Sequence, residues 1–197
     1  MTAVRFEGQF GSDTAPPRGS RYASELCRLR CGSRLPPLFR GCADPLKEVT
    51  ESFGAYNAVV DHLGFQLSKP GVTVVCVGDG RTPRTGATFA LRSAWTVHSV
   101  DPQMSRPWHW SRLFKRLHCD PRRIEDVTIE ADVAVVVAVH SHAMLGPSIA
   151  AVRAKRIAVV AMPCCVELSL PVKPDVEYED QDVLSPRRTV RIWRDVA

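Results

Sequence analysis

The chain has 197 residues and a mass of 21.8 kDa, the size of one domain or of one domain with an extended arm. Hydrophobic residues make up 45% and charged residues 24%, ordinary globular usage that excludes a wholly disordered chain, a collagen-like chain and a coiled coil. The net charge of +5 and the pI of about 9.0 permit a polyanionic partner without demanding one.

No apolar run reaches the roughly 18 residues of a membrane span, and residues 1–20 carry no apolar signal core. No membrane partner and no secretory route are therefore expected. The seven cysteines, at 27, 31, 42, 76, 119, 164 and 165, are odd in number and two are adjacent, a spacing at which disulfide geometry is hard to reach. Reduced thiols in a cytoplasmic compartment are the expectation. Cys27, Cys31 and Cys42 lack a clear fourth ligand nearby, so they read as buried or incidental thiols.

Residues 1–42, beginning with Gly-, Ser-, Pro- and Thr-rich sequence, read as an N-terminal arm that is in part disordered, and residues 43–197 as the folded domain. Over residues 45–67, Val59, Val60, Leu63 and Leu67 recur at helical spacing, with Thr50 as a candidate cap. Val72–Val77 is a short β-branched run of the kind buried on both faces of a parallel sheet. It ends in Gly78-Asp79-Gly80. A helix is expected over Thr85–Arg92 and a strand over Trp95–Val100, which closes on Asp101-Pro102. A short helix follows over Ser111–Leu117, then the strongest strand at 132–139, a helix over 146–154 and a strand at Arg156–Ala161. Residues 175–184 and 189–193 read as an antiparallel pair. Apolar strands separated by helices predict an α/β fold: a Rossmann-like, mostly parallel sheet flanked by helices, with an antiparallel C-terminal edge.

Ligands of such sheets bind at the carboxyl ends of the strands. The unusual residues fall at those ends: Gly78-Asp79-Gly80, Asp101, His140 with His142, and Pro163-Cys164-Cys165. Asp101 lies 21 residues beyond Gly80, where a carboxylate accepts hydrogen bonds from vicinal ribose hydroxyls. Neither the dinucleotide fingerprint nor a phosphate loop is present, so a nucleoside without phosphates, such as S-adenosylmethionine, fits best. His140 and His142 are candidate general bases. Trp108 and Trp110 sit in a basic stretch and are candidates to stack a base. A zinc site from His140, His142, Cys164 and Cys165 needs the two strand ends to approach within about 4 Å; a rigid turn that walls the pocket is the simpler reading, and no metal is expected.

The run Val74-Val75-Cys76-Val77-Gly78-Asp79-Gly80, with Val100-Asp101, resembles motifs I and II of class I S-adenosylmethionine-dependent methyltransferases. His140 and the stretch Pro163-Cys164-Cys165-Val166 are similar to a group of methyltransferase-like proteins, some of which modify tRNA. The resemblance covers roughly residues 50–195. It implies that S-adenosylmethionine is the cofactor, with Gly78, Asp79, Gly80 and Asp101 around it. Phe53, Tyr56 and Asn57 would cover its methionine part and Asp120 would meet its adenine amino group. Pro163, Cys164 and Cys165, with Trp108 and Trp110, would border the substrate pocket, and RNA, methylated at oxygen or a ring nitrogen, is the expected acceptor. The chain departs from the family pattern at Cys76, where an acid is usual, and lacks the glycine two residues beyond Gly80. Where amino-group methyltransferases carry Asn/Asp-Pro-Pro-Tyr, it has His140-Ser141-His142. Two other functions fit the same residues: an inactive methyltransferase-fold binding module in a larger assembly, and an enzyme that degrades S-adenosylmethionine.

Overall fold

The computed structural model describes residues 17–29 and 34–197. Six helices occur among them: α1 (Ser20–Arg28), α2 (Pro36–Phe39), α3 (Pro45–Leu63), α4 (Arg84–Arg92), α5 (Pro107–Leu113) and α6 (Leu145–Ala150). The strands are β1 (Val72–Val77), β2 (Thr96–Val100), β3 (Leu117–Asp120), β4 (Ile129–Glu130), β5 (Val133–Val139), β6 (Val152–Arg153), β7 (Arg156–Met162), β8 (Val176–Glu179) and β9 (Thr189–Trp193). Seven of them form one sheet in the order β3-β2-β1-β5-β7-β9-β8, and β4 and β6 form a separate parallel pair. The pairings from β3 through β7 are parallel. β9 runs antiparallel to both β7 and β8.

The β-branched runs build the sheet because each strand is buried on both sides. On β1, Val74 and Cys76 join one core with α3 and α4, while Val75 and Val77 join the other. On β5, Val135 and Val137 alternate in the same way with Ala134, Val136 and Ala138, as the period of two requires. The first core also holds Phe53, Phe89, Trp95, Trp110 and Phe114. The second face is covered by α6, the short β4–β6 pair and a single 3₁₀ turn at Ile124–Asp126.

Helix α3 starts at Pro45, where the helical stretch was expected to begin, and Thr50 lies inside it and does not cap it. Asp44 caps it by accepting the Lys47 N–H at 3.0 Å, and Pro45 opens the first turn, where its missing N–H costs nothing. Thr50 instead donates to the Lys47 carbonyl and accepts the Leu184 N–H. The helix stops at Leu63 because Gly64 takes the left-handed conformation. The helix expected over Ser111–Leu117 ends at Leu113, and Leu117 opens β3. The one expected over 146–154 ends at Ala150 and is followed by β6. Within the arm, Tyr22, Leu35, Leu38 and Phe39 are part of the first core; the stretches 1–16 and 30–33, with Cys31, lie outside the described residues.

Candidate functional site

The site is built on the glycine turn after β1. Gly78 has φ +66° and Gly80 φ +79°, values glycine adopts without penalty. The Gly78 N–H donates to the Val100 carbonyl at 2.9 Å, and a Cβ here would lie 2.1 Å from Ser141 Oγ. The Gly80 N–H donates to Asp101 Oδ2 at 2.8 Å, and the Gln103 N–H donates to Asp101 Oδ1 at 2.7 Å. These bonds fix the Asp101 carboxylate at the end of β2 and leave each oxygen a further acceptor position.

Asp79 faces the other way. Its carboxylate accepts the N–H groups of Thr85 and Gly86 at 3.0 and 2.9 Å and the Ser99 hydroxyl at 2.7 Å. Burial raises its pKa to about 6, against the pull of these donors. Asp79 therefore ties the turn to the first turn of α4 and to β2, and its three internal partners take up both oxygens.

Two cavities meet over this turn. The larger, about 540 Å³, is lined by Gly78, Asp101, Gln103, Ile124 and His140, with His142 on its wall. The smaller, about 190 Å³, is lined by Lys47, Glu51, Ser52, Gly80, Arg84 and again Gly78 and His140. Together they have the size of a small-molecule site. The smaller one carries charges of both signs. Glu51 is 3% exposed, with Oε1 2.7 Å from Lys47 Nζ and 3.0 Å from His140 Nε2. Burial pushes the Glu51 carboxyl up, but His140 and Lys47 more than offset it and hold it below its ordinary value. Glu51 Oε1 and His140 Nε2 are buried against each other, and the second Glu51 oxygen keeps acceptor capacity for a bound polar group. His140 adopts φ +48°, unusual for a side-chain-bearing residue and typical of functional turns.

Beside the larger cavity, the ends of β5 and β7 bring His142, Cys164 and Cys165 together. His142 Nε2 lies 3.1 Å from Cys165 Sγ, and the two sulfurs are 3.6 Å apart. Burial would raise the Cys164 thiol, but the N–H groups of Val166 and Cys165, the Cys165 thiol and nearby His140 bring it down to about 6. The Arg187 guanidinium donates to the Cys164 carbonyl and so ties the β8–β9 connection to this turn.

The fold is the expected Rossmann-like one, a mostly parallel sheet with an antiparallel C-terminal edge. Solved structures similar to the chain include magnesium protoporphyrin IX methyltransferase from Synechocystis PCC 6803 with bound SAM, at 11% identity and a TM-score of 0.49 over 91% of this chain and 97% of that one. A TehB-like SAM-dependent methyltransferase from Corynebacterium glutamicum matches at 11% identity and a TM-score of 0.46 over 75% and 88%. Geranyl diphosphate methyltransferase in complex with SAM matches at 18% identity and 0.42 over 64% of this chain, which spans 58% of that chain. No protein-family model and no curated protein matches the sequence.

Of the residues singled out by sequence, Gly78, Asp79, Gly80, Asp101, His140 and His142 line the two cavities. Phe53, Tyr56 and Asn57 do not; they lie one, four and five residues beyond Ser52 on α3 and face away from the cavities. Phe53 is fully buried, Tyr56 donates to the Arg92 carbonyl, and Asn57 donates to Glu25. Asp120 is held by Arg122, whose guanidinium lies 2.6 Å away and keeps the carboxyl below its ordinary value. Neither Asp120 nor Pro163, Cys164 and Cys165 lines either of the two cavities; Cys165 touches the larger one's wall at His142, and Cys164 touches His140. Trp110 is buried with its indole N–H on the Ser105 carbonyl, whereas Trp108 is 64% exposed. Sequence reasoning missed Lys47, Glu51, Ser52 and Arg84. The spacing of Lys47 and Glu51, four apart at the start of a helix, was the available signal.

Proposed function

We propose that the chain is an S-adenosylmethionine-dependent methyltransferase with an RNA acceptor. The observation that carries this reading is the pair of cavities joined at Gly78 and His140, one beside a fixed carboxylate and the other bearing buried charges of both signs. The first suits a nucleoside and the second an amino acid's ammonium and carboxylate. When bound, S-adenosylmethionine supplies a methyl group on a sulfonium. Asp101 accepts the two ribose hydroxyls through its free acceptor positions. Glu51, held as a carboxylate, receives the ammonium group, and Lys47 and Arg84 offset the carboxylate. His140, on the wall of both cavities, takes the proton that an acceptor oxygen or ring nitrogen gives up. The RNA part of the reading is supported by residues 106–123, which hold six Lys or Arg against one acid, and by the exposed Trp108 among them.

Calorimetric titration with S-adenosylmethionine and S-adenosylhomocysteine tests the cofactor. Binding in about the micromolar range is expected, weakened at least about tenfold in Asp101→Ala, since hydrogen bonds to a charged group contribute about 1.5–3 kcal/mol each. No binding by the native chain removes the methyltransferase reading and leaves a Rossmann-like scaffold. Transfer of labelled methyl groups to total RNA, against total protein, tests the acceptor.

A further inference from the structure

We infer that His142, Cys164 and Cys165 form a site for a thiophilic divalent cation of the zinc class, with a fourth coordination position left open at the rim of the larger cavity. The three ligand atoms lie within 4.8 Å of one another. In a tetrahedral zinc site with Zn–S near 2.3 Å and Zn–N near 2.0–2.1 Å, two sulfurs stand about 3.8 Å apart and a sulfur and a nitrogen about 3.5 Å. Here the sulfurs are 3.6 Å apart and the closer sulfur–nitrogen distance is 3.1 Å. A cation enters this triangle with side-chain adjustments of a few tenths of an ångström at those two pairs, and with a rotation that brings His142 and Cys164 from within 4.8 Å to about 3.5 Å. The sulfur separation is far beyond a disulfide bond, so both thiols are free to ligate.

The backbone around the three ligands is braced. The His140 N–H donates to the Met162 carbonyl at 2.8 Å, joining the two strand ends. The Cys164 carbonyl is held by Arg187, and Cys164 Sγ lies 3.5 Å from the His140 carbonyl. Two thiolates and one imidazole match zinc, whereas carboxylates and carbonyls would match magnesium or calcium. Three protein ligands and an open position are the pattern of a site that also takes water or a substrate group. His142 lines the larger cavity, so the open position adjoins that cavity. This inference rests on the side-chain geometry and not on the cofactor reading.

The test is titration of the full-length, reduced chain with Co²⁺ under anaerobic conditions, read by absorbance, followed by displacement with Zn²⁺. One equivalent of cobalt with a thiolate charge-transfer band and tetrahedral d–d bands is expected, both bleached by zinc. Cys164→Ser and Cys165→Ser should each keep at most half of the charge-transfer intensity, and the double variant should lose it. His142→Ala, at an exposed position, should weaken binding while leaving the circular dichroism unchanged. The triple variant Cys27→Ser/Cys31→Ser/Cys42→Ser should bind as the native chain does, and so should Asp101→Ala, which separates metal binding from cofactor binding. Absence of the thiolate band in the native chain overturns the inference. So does a band that survives loss of both Cys164 and Cys165, or one that vanishes with the N-terminal cysteines.

Discussion

Gly78 and Gly80 share a left-handed backbone, but only Gly78 is also short of space. A Cβ at Gly80 meets nothing within 4 Å, whereas one at Gly78 meets Ser141 Oγ at 2.1 Å and Ser141 Cβ at 2.9 Å. Gly80→Ala should therefore cost the conformational penalty alone, about 1–2 kcal/mol. Gly78→Ala adds a steric penalty of about 1–3 kcal/mol and moves Ser141, whose hydroxyl holds the Ala143 N–H at 3.0 Å on the cavity wall. Urea denaturation and cofactor calorimetry on both variants check this. Gly78→Ala should be the less stable of the two and should lose binding, and equal behaviour would remove Ser141 from the account. The glycines, Asp101 and His140 were legible in the sequence because turn chemistry and strand ends mark them locally. Glu51 was not. It belongs to the site through contact with His140, 89 positions away, and no local pattern announces such a contact.

At the scale of elements, the central strands were legible because β-branched runs buried on both faces have no competing use. β3, with four residues on the sheet edge, and β4 and β6, with two each, carry too little pattern to read. The β2–β3 pairing nevertheless has a chemical consequence. His98 and His118 face each other in register, their rings stacked with centroids 4.9 Å apart. Burial, and then the nearby His118, lower the His98 pKa to about 4. In the unfolded chain an ordinary histidine takes up its proton near pH 6.5. Between pH 6.5 and 4 the unfolded state thus binds more protons, so the contribution of this group is present above pH 6.5 and is lost as pH falls towards 4. Allowing for the partial exposure of the ring, the loss from pH 7 to pH 5 is about 1–2 kcal/mol. Urea denaturation at the two pH values should show it in the native chain and not in His98→Phe. An equal slope in both would mean that the β2–β3 edge opens enough to hydrate the ring.

For the molecule as a whole, the decisive join is between its two ends. Tyr22 on α1, near the N-terminal end of the described residues, is 1% exposed and donates its hydroxyl to Asp180, beyond β8. Asp180 is itself buried, and its other oxygen accepts the Asp182 N–H at 2.9 Å. Burial and the Asp180 carboxylate raise the Tyr22 pKa, so the phenol stays a neutral donor across the working pH range. The same helix contributes Glu25, which pairs with Arg92 of α4 at 2.8 Å and accepts from Asn57 of α3 at 3.1 Å. Nothing in the local sequence of 17–29 foretells this, because the partners are 158 positions away in one case and 67 in the other. Tyr22→Phe keeps the ring in the core but leaves a buried carboxylate oxygen without its donor, at a cost of about 1–3 kcal/mol. A double-mutant cycle with Asp180→Ala isolates the pair from the turn that Asp180 also holds. A coupling of about 1 kcal/mol or more means that α1 and the β8–β9 edge stabilise each other, and unfolding should then be a single transition when followed at both ends of the chain. Zero coupling would instead make α1 an independently opening unit lying on α3.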